Sequence, residues 1–280
     1  MNSLEEKVDH KAYQLAKAYL PTLNIPGVTE ELIEKYLNPV GQKPNTKIEL
    51  YKRILTSAQN SNMKSGVIGR SIGGVDKLSS VLYKFNSKKV LDEYRNSKEV
   101  LNVIIKILKP TGKIRRKPGS LWPKYCETIL SAARFIEQFS SIDDFFEWLD
   151  SFNRDERSRA SLPMLLSREI RGLGFALSCD FIKEMGYVNF PKPDIHLRHI
   201  FTALKLFDAK HYKDRDYGLL KAIVRLSNNA NVTAYNADKV FWLIGSGYFY
   251  NDPQIGKKGR IGSQKQDFIK YALPILSKLK

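Results

Sequence analysis

The sequence predicts an all-α protein, and three observations lead to this prediction. Apolar residues recur at helical spacing along most of the chain, helix-capping residues precede several of these runs, and no period-two alternation is long enough to build a sheet. A chain of 280 residues is also long enough to bury a sizeable core, in one large domain or in two small ones that share a cleft.

The ends of the first three helices follow from the sequence. Ser3 and Glu6 form a capping box before a run that we expect to end at Pro21. Thr29 is expected to cap a short second helix, and a third is expected over 47–58, with apolar residues on one face. Further helices are predicted near 75–85, 98–108, 125–139, 142–152, 162–170, 175–186, 195–206, 217–227, 237–244 and 264–277.

The chain carries a large positive charge. It has 46 Lys and Arg against 29 Asp and Glu, a formal net charge of +17 and a calculated pI near 9.7. Nucleic acid ranks above an anionic membrane surface as the expected partner, because the basic residues do not gather on one amphipathic helix. A merely well-solvated basic surface is the remaining alternative. Basic loops over 113–119 and 254–262 are either solvated or in contact with phosphate.

Composition also limits membrane association and cofactors. No stretch approaches the ~18 consecutive apolar residues of a membrane span, and the acidic start of the chain is unlike a secretory signal. We therefore expect a cytoplasmic protein, associated with the nucleoid in a prokaryote. Cys126 and Cys179 are the only cysteines, so the chain cannot supply the four that a cysteine-ligated iron–sulfur cluster needs. With four His and no Cys/His cluster, we expect no metal and no cofactor.

A glycine-containing turn between two predicted helices is the first candidate functional motif. The turn is Arg171-Gly172-Leu173-Gly174, and a helix begins directly after it. Two glycines let the chain reverse tightly with positive φ, and the bare N–H groups of the helix N-terminus suit an anion such as DNA phosphate. Leu173 is expected to anchor the turn in the core. On its own, the turn is more typical of an ordinary αα connection.

Asp194 is the candidate catalytic residue. It follows Gly174 by 20 residues and lies in the run Phe190-Pro-Lys-Pro-Asp-Ile-His-Leu-Arg-His-Ile200. Pro191 and Pro193 keep the approach extended, so we expect Asp194 where the next helix begins. A carboxylate there is either a plain N-cap or a group available for chemistry.

Together these residues resemble the signature of the helix-hairpin-helix DNA glycosylase superfamily, which includes endonuclease III and 8-oxoguanine glycosylase. The matching positions are Gly172, Leu173, Gly174, Asp194 and His196. The resemblance implies two helical lobes with the active site in the cleft between them. It also implies an enzyme that flips a base out of duplex DNA and cleaves its N-glycosidic bond, with Asp194 as the catalytic carboxylate. His196 is expected to form hydrogen bonds on its helix face.

A third matching segment lies upstream, in Ile54-Leu-Thr-Ser-Ala-Gln-Asn-Ser-Asn62. It is similar to a segment of endonuclease III where a helix ends in a loop whose Gln fills the gap left by the flipped base. The resemblance makes Gln59 this plug, and it makes Asn60 and Asn62 candidate contacts to the estranged base or its backbone. Considered alone, the segment is typical of a polar helix C-terminus.

The chain departs from the family pattern at one position. Bifunctional members carry a Lys two residues after the second hairpin glycine, where this chain has Ala176. Lys183 and Lys192 lie nearby in sequence, but neither occupies that position. The resemblance therefore implies a monofunctional glycosylase in which water is the nucleophile.

The resulting hypothesis is a monomeric glycosylase that acts on double-stranded DNA in base excision repair. Its middle lobe is expected over 60–187, and 1–59 with 188–280 are expected to form the second lobe. Two alternatives remain open: a glycosylase that acts on modified phage DNA in defence, and a non-catalytic helix-hairpin-helix module that needs no Asp194. The DNA-binding residues are predicted to be Gln59, Asn60, Asn62, Arg171, Gly172, Leu173 and Gly174, and Trp242, Tyr248 and Tyr250 are expected in the core.

Overall fold

The computed structural model describes residues 3–38, 41–59, 66–249 and 255–279. In these ranges the chain is helical, and its only β-pairing is an isolated antiparallel bridge between Tyr248 and Arg260. The predicted all-α class is confirmed. The α-helices are α1 (Leu4–Thr22), α2 (Glu30–Leu37), α3 (Lys47–Ala58), α4 (Val67–Ile72), α5 (Ser87–Glu93), α6 (Ser97–Leu108), α7 (Leu121–Ile136), α8 (Ile142–Arg154), α9 (Glu156–Arg159), α10 (Ser161–Glu169), α11 (Phe175–Lys183), α12 (Ile195–Ala203), α13 (Arg215–Asn229), α14 (Ala234–Ser246) and α15 (Lys265–Ser277).

The predicted caps begin the first two helices. Ser3 and Glu6 form the complete capping box, and the Thr29 side chain accepts the N–H of Leu32 at the start of α2. α1 continues one residue beyond Pro21. Its last turn closes through a 3-10-type bond, in which the Leu23 N–H donates to the carbonyl of Leu20 three residues earlier. Within the described ranges, no helix is both long and apolar enough to cross a membrane.

The predicted helix over 75–85 is wrong. The segment forms short 3-10 turns over Val75–Ser80 and Tyr83–Phe85. Tyr83, Lys84 and Phe85 have φ values of 50°, 56° and 61°, in the left-handed region that a right-handed helix does not use. Apolar spacing alone therefore gave the wrong local structure here.

The chain divides into two compact units, which are described separately. Unit 1 contains residues 1–41 and 186–280, and unit 2 contains residues 42–185. The sequence predicts that residues 42–59 belong with the N-terminal segment and 188–280, and this prediction is wrong. α3 belongs to unit 2 because the Tyr51 hydroxyl donates to the Ile129 carbonyl at 2.8 Å, and the Tyr125 hydroxyl donates to the Leu55 carbonyl at 3.0 Å.

Unit 1 is built around α14, which packs against α1, α2, α12, α13 and α15. A partly buried ion pair joins α1 to α13: both oxygens of the buried Asp9 accept from the Arg225 guanidinium, at 2.8 and 3.1 Å. These bonds offset the cost of burying the Asp9 charge. Trp242 is partly buried against the core, and its ring lies 6.2 Å from that of Tyr248. Tyr250 lies outside the described residues.

Unit 2 is built around α7, which is buried on most of its surface and packs against α3, α5, α6 and α10. α10 and α11 pack against each other across a short connection. α11 also packs against α3. The connection between α10 and α11 is the predicted glycine turn.

Candidate functional site

The turn between α10 and α11 reverses the chain in five residues. Gly172 has φ +85°, a conformation that disfavours any residue with a Cβ. Leu173 is 1% exposed, which confirms that it anchors the turn in the core. The Leu173 N–H donates to the Ile170 carbonyl at 3.1 Å and closes the turn.

Only one of the two glycines has the expected positive φ. Gly174 has φ −69° and ψ 168°, an extended conformation open to any residue. A Cβ on Gly172 would collide with the Thr128 hydroxyl oxygen of α7, whereas a Cβ on Gly174 would meet no atom within 4 Å. Gly172 is therefore required by the fold, and Gly174 faces open space.

The N-terminus of α11 carries no side-chain cap. The first N–H groups of a helix have no partner within the helix, and such groups favour an anion. Arg171 is exposed beside this end, with its guanidinium 3.4 Å from the Glu127 carboxylate. The Arg171 N–H donates to the Ser131 hydroxyl at 3.0 Å and fixes the turn on α7.

Gln59 lies at the C-terminal end of α3, as predicted. Its side-chain oxygen accepts the N–H of Gly69 on α4 at 3.2 Å. A Cβ on Gly69 would come within 2.8 Å of this oxygen, so the absence of a side chain on Gly69 makes room for the contact. Asn60 and Asn62 lie outside the described residues.

Asp194 is the N-cap of α12, in unit 1. One carboxylate oxygen accepts the N–H of His196 at 2.8 Å and the N–H of Leu197 at 3.1 Å. The other oxygen, Oδ2, accepts no hydrogen bond within the described part of the chain. The N-cap reading is thus confirmed, and the cap uses only one of the two carboxylate oxygens.

A second carboxylate, Asp238 on α14, lies beside Asp194 and was not predicted from the sequence. Asp238 is 1% exposed, and one of its oxygens accepts the Lys192 N–H at 2.8 Å. This bond fixes the backbone two residues before Asp194. The sequence does contain a signal, because Ala234, Asp238 and Phe241 follow helical spacing and place an acid on the apolar stripe.

The pKa of Asp194 is raised. Burial among protein atoms is the main cause, although part of the side chain is exposed, and the charge of Asp238 raises the pKa further. Lys192, His196 and the Leu197 N–H act in the opposite direction without cancelling these effects. Raised pKa values are typical of functional carboxylates, although buried structural groups show them too.

The hydrogen bonds expected of the His196 ring do not form with the residues that the structure describes. Its Nδ1 is buried and has no hydrogen-bond partner among the described residues. The ring packs closely on α14, where a Cβ on Gly245 would lie 2.6 Å from the His196 Cβ. Packing, rather than hydrogen bonding through Nδ1, positions this ring.

Three positions bear on which group could act as the nucleophile: Ala176, Lys183 and the thiol of Cys126. Ala176 is half-buried in the first turn of α11. Lys183 is 4% exposed at the end of the same helix, with its ammonium 3.2 Å from the Asp180 carboxylate. Burial raises the pKa of the Cys126 thiol, so that side chain is not an activated thiolate.

A separate cavity of about 570 Å³ lies in unit 1. It is lined by residues of α1 and α13 and by 205–208, which follow the C-terminal end of α12. Asp194 is at the opposite end of α12, so this cavity contains none of the predicted site residues. No group of three or more His, Cys, Asp or Glu residues in the described ranges could hold a metal ion.

Comparison of the chain with protein-family models, with curated proteins and with solved structures found no match. The functional argument therefore depends on the residues themselves.

Proposed function

We propose that this protein is a monofunctional DNA glycosylase that hydrolyses the N-glycosidic bond of a modified base in duplex DNA. The observation that carries the proposal is the half-buried Asp194 carboxylate. Two backbone N–H groups hold one of its oxygens, and no described residue donates a hydrogen bond to the other. The glycine turn and the net charge of +17 support a nucleic-acid substrate.

The proposed reaction begins with extrusion of the target nucleotide, which costs a few kcal/mol for unstacking. Gln59 is proposed to occupy the gap in the duplex. The N–H groups before α11 and the side chain of Arg171 are proposed to hold the phosphate backbone. This division assigns binding to unit 2 and the catalytic carboxylate to unit 1.

Bond cleavage then develops positive charge on the sugar. The C1′–N bond breaks with its electron pair moving to the base, and the departing base takes up a proton from solvent. A fixed carboxylate stabilises the resulting oxocarbenium ion, because its negative charge is already in position when the positive charge forms. Water adds through its oxygen to C1′, and Asp194 accepts the proton that this water releases.

Water is the proposed nucleophile because Ala176 stands where the related bifunctional enzymes carry a Lys. A side-chain amine would instead form a Schiff base with C1′ and lead to strand cleavage. The expected product is therefore an intact strand with an abasic site. We propose base excision repair as the setting and a monomer as the active form.

The experiment is a panel of duplexes, each with one oxidised purine, one alkylated base or one modified base of foreign DNA. We expect one class of duplex to accumulate alkali-labile abasic sites without strand cleavage before alkali is added. Excision confined to the foreign modification would favour a defence role. Tight duplex binding without excision of any base would favour the non-catalytic module and contradict the proposal.

A further inference from the structure

Residues 106–124 concentrate positive charge in unit 2. The segment covers the last turn of α6, the connecting loop and the first turn of α7. It contains no Asp or Glu. Its seven basic residues, all exposed, are Lys106, Lys109, Lys113, Arg115, Arg116, Lys117 and Lys124.

These seven side chains form no ion pair with any described residue. Arg116 alone donates a side-chain hydrogen bond, to the neutral Asn102 amide oxygen at 2.6 Å. Some basic residues elsewhere in the unit are ion-paired, such as Lys52, whose ammonium lies 2.7 Å from the Asp76 carboxylate. The charge of the segment is therefore available to an external anion.

The segment is held in place by the rest of unit 2. The Thr111 N–H donates to the Ser71 carbonyl of α4 at 2.8 Å, and the Ser120 N–H donates to the Lys117 carbonyl at 3.0 Å. The Thr111 bond to α4 and the Arg116 bond to α6 attach the loop to the unit at two points, and the bond between Ser120 and Lys117 closes a turn within the loop. A fixed loop loses less conformational entropy on binding than a free one does.

The same surface reaches the glycine turn along α7. Lys124 and Thr128 are one helical turn apart, and the Thr128 hydroxyl donates to the Lys124 carbonyl at 3.1 Å. Thr128 is the residue on which Gly172 packs. About 6 Å of helix separates the two positions, since each residue rises about 1.5 Å. The basic segment and the glycine turn thus lie on neighbouring parts of one unit.

We propose that the basic segment 106–124 binds the phosphate backbone of duplex DNA, as a second contact beside the glycine turn between α10 and α11. The proposal rests on the DNA substrate of the proposed function. A membrane surface fits less well, because a membrane-binding loop inserts apolar side chains. Within 106–124, Ile107 is the one exposed large apolar side chain, and Trp122 is only 5% exposed, so the segment offers little apolar surface for insertion.

The test compares two triple variants in the full chain. Lys113→Gln, Arg115→Gln and Lys117→Gln remove three of the segment's seven positive charges and keep the Arg116 contact. The control neutralises three exposed lysines of the same unit that have acidic neighbours in sequence. Both variants reduce the formal net charge from +17 to +14, that is, 17 − 3. The control changes are Lys88→Gln, Lys89→Gln and Lys98→Gln.

Binding of an unmodified duplex is measured between 50 and 200 mM salt, values at which phosphate contacts have a large effect. Each lost phosphate contact lowers the slope of log K against log salt by about 0.9, so the segment variant should lose about 2.7. In the control variant this slope should fall by less than about 0.9, the value of one phosphate contact. Equal losses in the two variants would overturn the proposal, because net charge alone would then explain them.

Two further measurements separate this proposal from the proposed function. If the segment variant loses duplex binding but the wild type excises no base, the DNA contact stands and the glycosylase proposal fails. If the wild type excises a base and the segment variant binds duplex as the wild type does, only the second contact fails. Loss of binding to phosphatidylserine vesicles with unchanged duplex binding would show a membrane contact and would also overturn it.

Discussion

Substitution of Gly172 by Ala is expected to destabilise unit 2 by about 2–5 kcal/mol. The first contribution is conformational: φ is +85°, and a residue with a Cβ costs about 1–2 kcal/mol in the left-handed region. The second is steric, because the new Cβ would collide with the Thr128 hydroxyl oxygen, and overpacking costs about 1–3 kcal/mol. The quoted range is the sum of these two contributions.

Two control variants separate the contributions. Gly174→Ala lies in an extended conformation with no atom within 4 Å of the new Cβ, so its stability should change by less than about 0.5 kcal/mol. Adding Thr128→Ala to Gly172→Ala should recover the steric part and leave the conformational part. The assay is urea unfolding followed by tryptophan fluorescence, since Trp122 and Trp148 both belong to unit 2.

The reasoning would be refuted if Gly172→Ala and Gly174→Ala were equally stable. The same pair also tests the binding surface. A methyl group on Gly174 projects into the space where we propose that the DNA backbone lies, so Gly174→Ala should weaken duplex binding without loss of stability. Unchanged binding by this variant would show that the backbone does not approach this end of α11.

Three further predictions concern the proposed reaction. Asp194 must be ionised to act and its pKa is raised, so excision should fall as the pH drops through that pKa. Asp238→Asn keeps a hydrogen-bond acceptor but removes the negative charge that helps to raise the pKa of Asp194. The acidic limb of the pH–rate profile should therefore move to lower pH in this variant. A purely structural role for Asp238 would lower the rate equally at every pH. Ala176→Lys should gain a borohydride-trappable protein–DNA adduct that the wild type lacks, and an adduct with the wild type would show that another lysine is the nucleophile. Gln59→Ala should weaken binding of duplex with the target base more than binding of intact duplex, and an equal small effect on both dissociation constants would reduce Gln59 to its contact with Gly69.

Local signals predicted those features that local interactions determine. The capping box at Ser3 and the caps at Thr29 and Asp194 form as predicted, because a cap depends on residues only two or three positions away. Leu173 is buried in its turn as expected. The all-α class follows from the same helical spacing.

Features that depend on distant contacts were not predicted. Residues 42–59 join unit 2 through contacts such as the hydrogen bond between Tyr51 and Ile129, which are 78 positions apart. Asp238 meets the Lys192 N–H across 46 positions. The extended conformation of Gly174 also departs from the expected pair of positive φ values, because spacing alone does not distinguish two glycines of one turn.

The central claim is that the Asp194 carboxylate performs chemistry beyond capping α12. Its most direct test is the single-turnover excision rate of Asp194→Asn on the duplex that the wild type cleaves, with Asp214→Asn as the matched control. Asp214 caps α13 through bonds of 2.9 and 3.1 Å, like those of Asp194, but in an exposed position. We expect Asp194→Asn to remain folded and bound to DNA with a rate lower by about 10²–10⁴, and Asp214→Asn to retain the wild-type rate. Excision by Asp194→Asn at the wild-type rate would contradict the account.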